Sequence, residues 1–140
     1  MARETDHEPD LAAIREAAAR IAPWIHRTPV ATCRSLDELV GARLFFKCEN
    51  MQKAGAFKMR GASNAVFSLD GEEAARGVAT HSSGNHAQAL ALAARNRGVA
   101  AHIVMPSGSP AVKRTAVEGY GGRIALCEPT LAAREDTLRR

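Results

Sequence analysis

Apolar positions recur with a helical period near the start of this chain, and strand-like and helix-like runs alternate in its second half. Leu11, Ile14, Ala18 and Ile21 fall on one face of a helix that Asp10 caps and Pro23 stops. Trp24 to Val30 reads as extended, because Thr28 precedes Pro29 and is biased away from the helical region. Ser35 and Glu38 have the spacing of a capping box, predicting a short helix that ends at Gly41. Arg43 to Glu49 reads as a strand in which Leu44 to Phe46 look buried. Gly55 and Ala56 then bend the chain, and a helix starts at Phe57. Met1 to Pro9 is polar and is expected to fray.

Beyond Leu69 the pattern becomes regular. A loop and short helix over Asp70 to Arg76 precede three strand-like segments, Val78 to His81, Ala101 to Met105 and Arg123 to Cys127. Between them lie helical runs over Asn85 to Arg97 and Ala111 to Gly119, the second introduced by Pro110. Gly98 and Gly121-Gly122 mark their exits, and Thr130 caps a last helix. Strands alternating with helices of this length predict an α/β, doubly wound architecture with a parallel sheet.

Length and composition narrow the possibilities. With 140 residues, 46% of them hydrophobic, the chain can bury a real core. The net charge of +4 is spread among acids with no aromatic-interleaved basic run, which argues against nucleic acid as a partner. Cys33, Cys48 and Cys127 are widely spaced and odd in number, which argues against a disulfide framework or structural zinc and fits a reducing cytoplasm. No apolar run approaches the roughly 20 residues that span a membrane, and Glu4, Asp6, Glu8 and Asp10 do not read as a signal peptide. His81 and His86 are five apart with no acid between them, so no metal site is expected. The glycines do not form a dinucleotide fingerprint.

Two stretches carry candidate chemistry. The bend before Phe57 puts Lys58 in the first turn of a helix, where the dipole disfavours an ammonium and where Phe57 and Met59 are expected to strip away part of its hydration. A lysine amine so disposed is a nucleophile able to form a Schiff base with a carbonyl. The turn Ser82-Ser83-Gly84 lies where a strand gives way to a helix, so free N–H groups of Gly84, Asn85 and His86 would favour an anion. Taken alone, a helix lysine is commonly a solvated residue and Ser-Ser-Gly-Asn commonly a helix cap.

Together the two are specific. Gly55-Ala56-Phe57-Lys58-Met59-Arg60-Gly61-Ala62, with Lys47-Cys48-Glu49-Asn50 before it and Thr80-His81-Ser82-Ser83-Gly84-Asn85-His86 after it, resembles the pyridoxal-phosphate-dependent serine racemase and threonine dehydratase family. The resemblance extends from Ile21 to Arg140. It implies the tryptophan-synthase-β-like fold, called fold type II, and pyridoxal 5'-phosphate as cofactor. It implies that Lys58 is the Schiff-base lysine and catalytic base, that Phe57 packs beneath the cofactor ring and that Asn85 bonds the ring hydroxyl. Ser82, Ser83, Gly84, Asn85 and His86 then hold the substrate carboxylate, with Ser83 facing the substrate from the side opposite the lysine. The activity implied is dehydration of serine or threonine to a keto acid and ammonia, or racemisation of serine, two outcomes that share one carbanion.

The sequence departs from the family at several points. Ala56 stands where many relatives have serine, and Cys33-Arg34 and Ala54 replace hydroxyl residues around Ser35 and Lys53, where the racemase branch has a nucleotide site. No Gly-Gly-Gly run for the cofactor phosphate occurs in these 140 residues. The resemblance therefore reads this chain as an N-terminal portion. Residues 1–69 are expected to belong to an incomplete large domain and residues 70–140 to a small α/β domain, with Leu44 to Phe46 and the Ile14 and Ile21 face left exposed. Self-association as a homo-oligomer, or association with a longer homologue, is expected. The alternative reading is a non-catalytic remnant serving as an oligomerisation or anion-binding module.

Overall fold

A computed structural model describes residues 9–139; of the stretch expected to fray, residues 1–8 lie outside this range. Helix α1 runs over Leu11–Ile21, and the Asp10 carboxylate accepts from the Ala13 N–H at 2.7 Å, as its capping role requires. A 3-10 turn at Ala22–Trp24 absorbs Pro23. Strand β1 is only Val30–Ala31 and pairs antiparallel with β2, Phe46–Lys47, so the strand read over Arg43 to Glu49 shrinks to two residues. Its partner offers just two positions for a ladder. Phe45 and Phe46 are 62% and 41% exposed and Ile14 55%, as expected of a portion without its sheet partners, whereas Ile21, expected on the same exposed face, is buried at 6%.

Helix α2 covers Arg34–Val40 and ends at Gly41 in the left-handed conformation, but it starts two residues earlier than a Ser35 cap allows. Cys33 is the N-cap without a side-chain bond, and Glu38 pairs with Arg34 on the helix surface at 2.8 Å. The capping box lies elsewhere: Asp70 and Glu73 bond reciprocally at the start of α4, Gly71–Ala75.

The larger sheet has three parallel strands in the order β3 (Val78–His81), β4 (Ala101–Pro106) and β5 (Arg123–Cys127). Its boundaries and those of α5 (Asn85–Arg97) and α6 (Ala111–Gly119) follow the sequence pattern closely. α5 and α6 pack together against the sheet, while α7, Leu131–Arg139, lies against all three strands; Thr130 caps it by accepting from the Ala133 N–H at 3.1 Å. Covered on both sides, β4 is an almost continuous apolar run, with Ile103 and Met105 wholly buried.

Helix α3, Lys58–Ser68, lies on α5 and supplies Met59, Ala62 and Val66 to the same core as Ala87, Ala91, Ile103, Met105 and Val117. Its far end is fixed by Arg97, whose guanidinium donates to the carbonyls of Val66 and, at 2.6 Å, Leu69. α1 packs across α3, with Arg20 donating to the Asn64 Oδ1 at 2.6 Å and Trp24 stacked on Phe67 at 4.4 Å. α3 thus joins residues 9–57 to the sheet.

Candidate active site

Between β2 and α3 the chain has no regular partner. It makes 3-10 turns at Glu49–Met51 and Lys53–Gly55, with Ala54 at φ 57° and Gly55 at φ 66° in the left-handed region. Glycine takes that conformation freely, and alanine at some cost. Ala56 then returns to extended backbone and Phe57 begins the helix, leaving Lys58 as the first residue of α3.

Side chains hold this loop where backbone ladders do not. The Arg60 guanidinium donates twice to the Glu49 carboxylate, Nε to Oε2 at 2.8 Å and Nη2 to Oε1 at 2.6 Å. The Thr28 hydroxyl donates to the same Oε1 at 2.6 Å, and the Lys47 ammonium donates to the Thr28 carbonyl at 2.5 Å. The bond to Arg60 outweighs the cost of burial and holds the Glu49 carboxyl at about 2, below its ordinary 4.5. Gln52 forms a second anchor: its Oε1 accepts from the His26 N–H and its Nε2 donates to the His26 carbonyl, both at 2.8 Å. Thr28 and Gln52 are each 4% exposed. No role for these residues was legible in sequence, because bonds spanning 21 or 26 positions leave no periodic trace.

Lys58 itself is exposed, as is Phe57 at 59%, and only Met59 faces the core. The dehydration expected from both neighbours is therefore absent within this chain, because successive helix residues point about 100° apart and Phe57 sits outside the helix. The Lys58 Nζ lies 5.1 Å from the Phe57 ring centroid, so the amine and the aromatic face are side by side.

The second stretch follows β3. The Ser82 N–H extends the ladder to the Val104 carbonyl at 3.0 Å, and the Gly84 N–H donates to the Ser82 hydroxyl at 3.3 Å. Gly84 therefore does not offer the free donor expected of it. It is the N-cap of α5, and the Gln88 N–H reaches its carbonyl at 3.4 Å, which leaves the N–H groups of Asn85 and His86 without acceptors inside the helix. Asn85 is exposed, while Ser82, Ser83, Gly84 and His86 are half-buried.

α5 packs against both α3 and the Lys53–Gly55 turn, so the starts of the two helices come together. His86 registers this: burial first, and the Lys58 charge second, lower its pKa from 6.5. A cavity of about 320 Å³, lined by Gly61, Ala62, Val66, Thr80, His86 and Leu90, opens between α3, β3 and α5. Among the described residues, no group of three or more His, Cys, Asp or Glu side chains could hold a metal ion, and no helix is long and apolar enough to cross a membrane.

A primary amine, an aromatic face beside it and helix N–H donors nearby fit an aromatic aldehyde and an anionic substrate group. The chain belongs to the family described as pyridoxal-phosphate dependent enzyme, which it matches over residues 21–140. Its α/β fold is the fold type II architecture of that family.

Among its relatives, serine racemase from Oryza sativa subsp. indica is 56% identical over 131 residues, covering 94% of this chain and 39% of the relative. A beta-hydroxyaspartate dehydratase from Paracoccus denitrificans is 56% identical over 124 residues, covering 89% of this chain and 39% of the relative. The structure of maize serine racemase superposes with a TM-score of 0.93 at 55% identity, over 96% of this chain and 41% of that one. The chain thus spans about two-fifths of the length of the relatives it matches.

Proposed function

We propose that this chain carries the lysine-bearing part of a pyridoxal-phosphate lyase or isomerase for hydroxy-amino acids. The activity is dehydration of serine or threonine to keto acid and ammonia, or racemisation of serine. The observation that carries this reading is the packing of α5 against both α3 and the Lys53–Gly55 turn, which brings Lys58 at the start of one helix toward the N–H groups at the start of the other. Relatives named as a racemase and as a dehydratase, both at 56% identity, support a substrate with a β-hydroxyl. When bound, pyridoxal phosphate supplies the electron sink for the pair left by the departing α-proton.

The protein's own residues supply the rest. The Lys58 amine serves as covalent tether and, once free, takes the α-proton at Nζ. The Ser83 hydroxyl holds or delivers a proton at Oγ from the opposite face. Unpaired N–H groups at the start of α5, with Ser82, Gly84 and His86 around them, orient the substrate carboxylate, and Asn85 orients the ring hydroxyl. The exposed Phe57 ring gives the cofactor ring a packing face. A neutral His86 adds no second cation beside the amine.

The proposed division assigns residues 1–69 to a large domain and residues 70–140 to a small one, supported by the two separate sheets, with α3 carrying its buried face across the junction. A dimer or larger homo-oligomer in a reducing cytoplasm completes the proposal. Incubating the chain with pyridoxal phosphate and L-serine or L-threonine, and measuring keto acid and D-serine, tests the activity. Product that disappears in Lys58→Ala supports it. Absence of product favours the second reading, a non-catalytic association module, to which the exposed Val30, Leu39, Phe45 and Phe46 point.

A further inference from the structure

Apart from the Cys48 N–H, which donates to the Pro29 carbonyl at 3.0 Å, the backbone bonds of residues 48–57 stay within the loop and the first turn of α3 and do not fix where that helix begins. The loop contains two left-handed residues, two short 3-10 turns and no strand, and such a segment on its own would sample several geometries. Two polar anchors tie it down, one closing its ends and one holding its middle. Glu49 opens the loop and Arg60 lies just beyond it, so their paired bonds at 2.6 and 2.8 Å close a ring that contains Lys58. Thr28 and Lys47 fasten that ring to the segment before β1, and Gln52 fastens its middle to both backbone groups of His26.

We infer that Glu49, Arg60, Thr28 and Gln52 are positioning residues for Lys58: they set the first turn of α3 against the start of α5 without touching the reacting groups. This rests on the reading of Lys58 as the cofactor-bearing amine. Arg60 suits the task because its planar fork fixes both carboxylate oxygens at once, which a lysine could not do. The depressed Glu49 carboxyl keeps the pair ionised across the physiological range. Arg34 and Glu38, an exposed pair of the same chemistry on α2, bond each other rather than this loop and provide the control.

The test compares Glu49→Gln, Thr28→Val and the control Glu38→Gln in the full chain, with two measurements. The first is amide exchange at Met59 and Arg60, whose N–H groups bond the Ala56 and Phe57 carbonyls, against exchange at Ile103 and Met105 in the central strand. Loss of a charge-assisted bond is expected to speed exchange at residues 59 and 60 by at least about tenfold in Glu49→Gln, with residues 103 and 105 unchanged. The second is borohydride trapping of pyridoxal phosphate, followed by mapping of the label among the four lysines, Lys47, Lys53, Lys58 and Lys113.

Label concentrated on Lys58 in the wild type and in Glu38→Gln, but dispersed in Glu49→Gln, supports the inference. Equal exchange in all three variants overturns the clamp, and label that stays on Lys58 despite faster exchange overturns its effect on the lysine. Wild-type label spread over all four lysines, with exchange as expected, overturns the cofactor reading and leaves the clamp standing. Thr28→Val, which removes one donor to Glu49, decides the matter should Glu49→Gln fail to fold.

Discussion

The three-stranded sheet buries Ile103, Val104 and Met105 beneath its helices, whereas the two-residue ribbon β1–β2 leaves Val30, Phe45 and Phe46 exposed. The first region is held by apolar burial, which is strong and indifferent to direction. The second is held by a few directed bonds from Glu49, Gln52 and Arg60, individually weaker and specific in geometry. Lys58 stands where the two meet. The buried face of α3 belongs to the sheet's core through Met59, Ala62 and Val66, and its first turn belongs to the clamped loop. Global stability and placement of the amine should therefore respond to different mutations.

The largest effect should come from the sheet. Ile103→Ala, at a wholly buried position on the central strand, is expected to cost about 2–5 kcal/mol in urea unfolding, while loop exchange rises only as the whole fold opens. Gly77→Ala should follow at about 1–3 kcal/mol, since Gly77 has φ 77° and a Cβ there would stand 2.8 Å from the Ala100 carbonyl oxygen.

The clamp should act through pH. Glu49 binds its proton less readily folded than unfolded, so its contribution is complete above about 4.5 and is lost as pH falls through about 2. Acid titration of stability should be shallower in Glu49→Gln over that window, by on the order of 1–2 kcal/mol after solvent screening. The smallest change in stability, within about 0.5 kcal/mol, is expected for Phe45→Ser with Phe46→Ser. That pair should instead lower self-association in sedimentation velocity, and unchanged association would remove the exposed ribbon as its cause.

Legibility in the sequence divided along the same line. The β3–α5–β4–α6–β5 alternation was plain because apolar runs, Pro110, Gly98 and Thr130 punctuate it locally, and each signal sits within a few residues of the element it shapes. Lys58 at the start of α3 was legible from Gly55 and Ala56 for the same reason. The ribbon was overread in length only: Arg43 to Glu49 looks like a full strand, but a two-residue partner limits it to Phe46–Lys47, and the exposure expected for Leu44 to Phe46 holds for both phenylalanines. The Ser35–Glu38 spacing matched a capping box, yet Arg34 took Glu38 as an ion-pair partner and the true box formed at Asp70 and Glu73. The Glu49–Arg60 and Gln52–His26 anchors went unseen because they join residues 11 and 26 positions apart, with no period to betray them.

The most direct measurement is the visible absorption spectrum of the purified chain, and of Lys58→Ala, after addition of pyridoxal phosphate. The expected result is a new visible band in the wild type that the alanine variant lacks. The same band in both, or none in the wild type, would contradict the assignment of Lys58.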